Sequence, residues 1–234
     1  MPLEIPLNLS WRKRYLKTTS FLWATALAFT VCIAMARTSA AAEITLSGKG
    51  TFKPPSAEQL ASLPADLGFS RSDLASGNWS FFVRYDDSTP GAAPAPPNAA
   101  RYAGAIHAFR LVIGSATVNL PVDQAEIVIS DGGGNATNRE LIRVETKAAM
   151  PSGVLRLRWV QVNQQAKNVD LRGPAGLLAS AALPPYTVVA NLAPASPYDR
   201  FLELRVDHPA GDPRPLLYLN SSLLSMSAGP STAP

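Results

Sequence analysis

Alternation of apolar and polar residues is strongest between Trp79 and Gly114. Every second residue from Trp79 to Tyr85 is aromatic or aliphatic. This is the period of a half-buried strand, because successive side chains point to opposite faces of a sheet. After a proline-rich excursion, RYAGAIHAFRLVIG alternates again and puts His107 on the same face as Ala105 and Phe109. The pattern predicts two strands at the centre of a β-sandwich, with a hydrogen-bonded histidine in the core.

Shorter alternating segments on both sides predict the other strands. They are residues 43–52, 117–120, 125–130, 139–146, 154–163, 186–192, 201–207 and 216–226. A turn with Pro151 and Gly153 should join 139–146 to 154–163 in an antiparallel hairpin. The capping-box sequence SAEQ predicts a short surface helix near 56–63. Recurrent turn signals and 21 prolines favour an all-β antiparallel sandwich or jelly roll of about nine or ten strands with one or two short surface helices.

The N-terminus has the layout of a secretory signal peptide. Residues 1–17 are basic, 18–36 are apolar and uncharged, and small residues follow up to Ala42, where we expect cleavage. The apolar run is also long enough for an uncleaved membrane anchor, which is the alternative. The segment WRKRYLK resembles a twin-arginine export signal with lysine in the second arginine position, and general secretion is favoured over that route.

The net charge and the cysteine content bear on two kinds of function, nucleic-acid binding and zinc binding. The net charge is +4, and the leader 1–42 contributes all of it, so residues 43–234 are formally neutral. Global charge therefore gives no argument for a nucleic-acid partner. The single cysteine, Cys32, lies in the leader, and two histidines are too few for a Cys/His zinc site. We expect one domain at 43–226 and a disordered tail at 227–234.

Acidic residues at strand ends are the candidate metal ligands. Asp86 and Asp87, together with Asp131, could bind calcium through their carboxylates, while the alternative is that they begin turns. A glycan-active enzyme would instead need two facing carboxylates, drawn from these three, Asp170 or Glu203. Because long loops on a rigid sheet often carry function, the loop that begins at Asp86 is the first place to look.

Basic residues of the predicted hairpin are the candidate binding surface. Arg143 and Arg156 should lie near one another, with Arg158 beside them and Lys147 toward the turn. Such a patch suits an anionic polysaccharide or a phosphate surface, and the alternative is an ordinary solvated face. Aromatic residues that could stack on sugars are Phe82, Tyr102, Tyr186 and Tyr218.

The order WxFFxxYDD, a proline-rich loop and RYxGAIxxFxLxIG resembles a group of secreted bacterial β-sandwich proteins of unknown function, many of which carry a Pro-Glu-Pro sorting tail (the PEP-CTERM-like group). The segments 169–171 and 182–184 are similar too. No such tail is present in the sequence. The resemblance implies a fold and an exported location, and no activity.

These observations predict a secreted or periplasmic, non-enzymatic β-sandwich protein. It would bind an envelope or extracellular carbohydrate, or a protein partner, and would meet a membrane only through an uncleaved leader. The alternatives are a glycan-active jelly-roll enzyme and a purely structural extracellular component.

Overall fold

The computed structural model describes residues 43–92, 98–132, 138–165, 167–191, 200–208 and 214–231. The predicted leader and most of the glycine-rich turn after Asp131 lie outside these ranges. The described strands are β1 Glu43–Thr51, β2 Asn78–Asp86, β3 Ala99–Ala103, β4 Ile106–Ile113, β5 Ala116–Leu120, β6 Glu126–Asp131, β7 Arg139–Met150, β8 Gly153–Gln164, β9 Arg200–Asp207 and β10 Leu217–Pro230. The described helices are α1 Ala57–Ala61, α2 Arg71–Ala75 and α3 Tyr186–Asn191, with 3₁₀ turns at Ala65–Leu67 and Gly173–Ala175. The prediction of an all-β sandwich is confirmed.

The strands are antiparallel neighbours in the order β3-β6-β7-β8-β9-β10-β1-β2-β4-β5. Strand β10 belongs to two sheets, because Leu217 to Ser222 pair with β9 while Leu223 to Pro230 pair with β1. The first sheet is therefore β5-β4-β2-β1-β10, and the second is β10-β9-β8-β7-β6-β3. One strand holds both sheets together.

The apolar faces of the two sheets meet at aromatic side chains. The Phe81 ring of β2 lies 6.1 Å from the Trp159 ring of β8, centroid to centroid, and Trp79 stacks beside Phe81. The predicted inward face of β2 is confirmed, since Val83 and Tyr85 are buried with them. A period of two was sufficient here because β2 pairs with β1 over its whole length without a register shift.

The prediction that His107 is a core residue is wrong. Strand β2 pairs Arg84 with Ala108 but Tyr85 with Ile106, so His107 is the extra residue of a β-bulge. The bulge reverses the alternation, and Ile106 takes the inward position. The His107 side chain is 45% exposed, with Nδ1 3.4 Å from Oε1 of Glu43.

Three other predicted elements differ from the structure. Residues 101–114 are not one strand: Gly104, with φ of +79°, ends β3, which pairs with β6 in the second sheet. Residues 186–192 were predicted as a strand, but 186–191 form α3, whose first amides donate to the Pro185 carbonyl. The predicted tail is ordered up to Pro230, because the end of β10 pairs with β1.

Two capping boxes position the short helices. The predicted box of Ser56 and Gln59 is confirmed, and Ser70 with Asp73 forms a second one at α2. Asp73 also accepts hydrogen bonds from the backbone and the hydroxyl of Ser115, at 3.0 and 2.9 Å. These hydrogen bonds, led by those from Ser70, lower the pKa of Asp73. The helix is thereby fixed to the tight turn between β4 and β5.

Two core tryptophans differ in one hydrogen bond. Trp79 Nε1 donates to Ser221 Oγ at 2.5 Å, and the Ser221 hydroxyl donates to the Thr51 carbonyl. Trp159 Nε1 is buried without a partner. Replacing either by phenylalanine removes the same atoms, so the loss of apolar contact should be similar. We expect Trp79→Phe to lower the free energy of unfolding by about 1–3 kcal/mol more than Trp159→Phe, because only Trp79 loses a bond.

Urea unfolding of the two variants beside the wild type measures this difference. An equal or larger loss in Trp159→Phe would show that the Ser221 bond contributes nothing to stability.

Candidate functional site

A groove of about 510 Å³ lies on the outer face of the first sheet, across β10, β1, β2 and β4. Its side chains come from two neighbouring rows of paired residues. The rows are Ser227, Ser47, Phe82 and Arg110, and Ser225, Lys49, Ser80 and Val112. Four of these eight residues are serines, whose short side chains leave space between the longer side chains of Lys49, Phe82 and Arg110.

The two cations of the groove carry no carboxylate partner. The guanidinium of Arg110 lies over the Phe82 ring, 5.1 Å from its centroid. Among the described residues, neither Lys49 nor Arg110 has a salt bridge, and no acidic residue lines the groove. On the same face, Arg84 is paired with Glu43 at 2.9 Å. The groove is therefore a positively charged part of a domain whose formal charge is balanced.

This arrangement can bind a hydroxylated anion. Stacking on Phe82 orients the Arg110 guanidinium, whose fork of N–H donors matches a carboxylate or sulfate. The Lys49 ammonium supplies a second charge, and serine hydroxyls both donate and accept hydrogen bonds. Sequence reasoning noticed Phe82 but missed Lys49 and Arg110. The available signal was the aromatic residue on the polar face of β2.

The hairpin arginines are mostly paired with carboxylates. The register puts Arg143 opposite Val160 and Lys147 opposite Arg156, so the predicted proximity of Arg143 to Arg156 is wrong. The turn at Pro151 fixes this register by pairing Met150 with Gly153. Ion pairs join Arg143 to Glu145, Arg156 to Asp207, and Arg158 to Glu203 at 3.1, 2.6 and 2.5 Å.

The three predicted calcium ligands are not brought together. Asp86 Oδ1 accepts hydrogen bonds from the backbone and hydroxyl of Ser88, which lower the pKa of Asp86 and begin a turn beside Asp87. Asp131 ends β6 in the second sheet, where its amide donates to the Asn98 carbonyl. The Asp86 amide donates to the Ala105 carbonyl, which lies beyond the opposite end of the β3–β6 pair. In the ranges that the structure describes, no three His, Cys, Asp or Glu side chains are grouped to hold a metal ion.

The predicted aromatic contacts are unequally exposed. Tyr102 is buried, its hydroxyl donates to the Ala181 carbonyl at 2.6 Å, and burial raises its pKa. Phe82 and Tyr186 are half-buried, whereas Tyr218 is 43% exposed. Tyr102 is thus a structural residue, while Phe82 and Tyr218 offer surface.

Asp131 and Glu140 form a buried carboxylate pair, opposite each other on β6 and β7. Glu140 accepts hydrogen bonds from Asn163 Nδ2 at 2.6 Å and from the amides of Leu177 and Leu178 at 3.1 and 2.7 Å. Asp131 Oδ2 accepts from the Gly173 amide at 2.9 Å, and Oδ1 is buried without a partner. These bonds fasten the segment that follows β8 to the sheet end.

This pair gives no support to the enzyme alternative. Both carboxylates are buried, and neither lines the groove of the first sheet. Of the other candidates, Asp170 is bound by Arg172 and Glu203 by Arg158. Two accessible carboxylates facing each other across a concave surface, the requirement for glycoside hydrolysis, are not found among these residues.

Comparisons with profiles of protein families, with curated proteins and with solved structures give no match to this chain. Within the described ranges, no helix has the length and apolar character needed to cross a membrane.

Asp131→Asn should stabilise the protein at neutral pH. Burial, the main cause, raises the pKa of Asp131 in the folded state. Its contribution to stability is therefore full below the unfolded-state pKa, about 3.9, and is lost as pH rises through the folded-state value. The neutral amide avoids this loss. We expect the variant to have the higher Tm at pH 7, with the difference shrinking as pH falls toward about 4.

Thermal unfolding at a series of pH values tests this expectation. Asp123→Asn, at an exposed loop position, is the control and should follow the wild type. A lower Tm for Asp131→Asn at pH 7 would contradict the argument.

Proposed function

We propose that the protein is an exported, non-enzymatic carbohydrate-binding protein that binds an acidic polysaccharide of the cell envelope or extracellular space in the groove of the first sheet. The proposal rests on one observation. Lys49 and Arg110 have no carboxylate partner in the described chain, and they line the same groove as four serines and the Phe82 ring.

The contrast with three paired arginines of the two sheets supports this assignment. Arg84, Arg143 and Arg158 each lie within salt-bridge distance of a carboxylate. Exposed ion pairs contribute little to stability, about 0–1 kcal/mol, but they do cancel the local charge. No carboxylate of the described residues offsets the charges of Lys49 and Arg110, so both can attract an anionic ligand.

The composition of the groove favours a sugar acid over a compact phosphate. Four hydroxyls and a half-buried ring extend over two rows of the sheet, which suits a ligand with hydroxyl groups and a flat apolar face. The leader predicted at residues 1–42 supports a location where such polymers occur.

Removing the charge of the groove should weaken binding. We expect Lys49→Gln and Arg110→Gln each to reduce affinity for polygalacturonate by about tenfold, equivalent to the loss of roughly 1.4 kcal/mol. Arg110→Gln should have the larger effect, because it also loses the ring-supported, bidentate donor. Binding of the wild type should weaken as salt is raised. Calorimetry or affinity electrophoresis at two salt concentrations measures these effects.

Two matched variants serve as controls. Lys53→Gln and Arg139→Gln neutralise exposed residues outside the groove, and both should bind like the wild type. Failure of the wild type to bind any acidic polysaccharide, or equal binding by groove and control variants, would refute the proposal.

A further inference from the structure

The outer face of the second sheet carries a line of basic residues. Lys147 of β7 is opposite Arg156 of β8, Arg156 is opposite Arg205 of β9, and Arg205 is opposite Tyr218 of β10. Neighbouring strands lie about 4.8 Å apart, so these side chains form one line across four strands. We call these four residues the cation row.

The cation row departs from the charge pattern of the rest of this face. The adjacent row alternates in sign, with Glu145 opposite Arg158 and Arg158 opposite Glu203. Like charges directly opposite on neighbouring strands are destabilising, so three cations in register oppose folding. Sheet stability alone does not account for them.

One carboxylate partly offsets the row. Asp207 accepts a hydrogen bond from Arg205, and its other oxygen lies 2.6 Å from Nε of Arg156. Lys147 has no carboxylate partner among the described residues. Asp207 thus lies between Arg156 and Arg205, while the charge of Lys147 is unmatched, and an anionic ligand along the row would offset it.

Tyr218 extends the row with an exposed aromatic surface. Its side chain is 43% exposed, and its hydroxyl lies 3.4 Å from Oε2 of Glu203, which orients the ring. A ring in line with regularly spaced cations suits an extended polymer whose sugar units each carry a carboxylate. A flat anionic membrane fits less well, because it would also meet Glu145 and Glu203 of the adjacent row.

We infer that the cation row is a second binding site for an acidic polysaccharide, and that the protein cross-links two polymer chains. The inner faces of the two sheets pack against each other through Phe81 and Trp159. The groove and the cation row therefore lie on outer faces that point away from each other. One chain of polymer cannot occupy both at once without passing around the domain. The cross-linking step rests on the proposed function of the groove.

Aggregation of polygalacturonate-coated beads by the full-length protein tests the inference. The wild type should aggregate the beads, and short galacturonate oligomers in excess should reverse this. The double variant Lys147→Gln/Arg156→Gln should still bind beads through the groove, while aggregation falls at least about tenfold. The double variant Lys49→Gln/Arg110→Gln should likewise bind through the row without aggregating them. Arg139→Gln, outside both sites, should behave as the wild type.

Each outcome separates the two proposals. If the row variant aggregates the beads as well as the wild type does, the second site is refuted. A dimer that bridges beads through two grooves would give this result. Full loss of binding in the row variant, with normal binding in the groove variant, would support the row as a site and refute the groove. Thermal unfolding is the fold control, and the row variant should unfold near the wild-type temperature, because it loses like-charge repulsion together with the exposed Arg156–Asp207 ion pair.

Discussion

The fold depends on the change of partner in β10. Up to Ser222 this strand completes the second sheet, and from Leu223 it completes the first. At the change, the Ser221 hydroxyl bonds Thr51 of β1 and accepts the indole N–H of Trp79. The same residue thus joins β10, β1 and β2 while the two sheets diverge. The connection holds the Trp79 indole beside Phe81, whose ring packs against Trp159.

In a sandwich built this way, the side chains on the outer faces of the sheets are not part of the core. Apolar side chains from both sheets form the buried cluster, while the outward positions mostly carry polar or charged residues. On the first sheet these positions are serines bordered by Lys49, Phe82 and Arg110, which makes a groove. On the second sheet they are longer charged residues, most of them paired, which makes a flat face. The difference between the two faces comes from side-chain length and pairing, and both rest on the same core.

The sequence predicted what depends on local pattern. The inward face of β2 and the β7–β8 hairpin follow from a period of two and a short turn. It did not predict the bulge at His107, since an extra residue in one strand is specified by its partner strand. At residues 186–191 the β-branched sequence favours a strand, but the structure begins a helix after Pro185. The groove could not be predicted either, because Lys49 and Arg110 come to line one groove only through the pairing of β1, β2 and β4.

Net charge is a poor guide to this surface, because residues 43–234 balance acids and bases. What matters is which charges the fold leaves uncompensated. Strand register pairs Arg158 with Glu203 but puts Lys147, Arg156 and Arg205 in one line. It likewise leaves Lys49 without a carboxylate on the opposite face. At an ionic strength near 0.15 M, screening acts over about 8 Å, so a ligand responds to these local groups rather than to the neutral whole. Strand register, more than composition, therefore determines where positive charge remains on the surface of this domain.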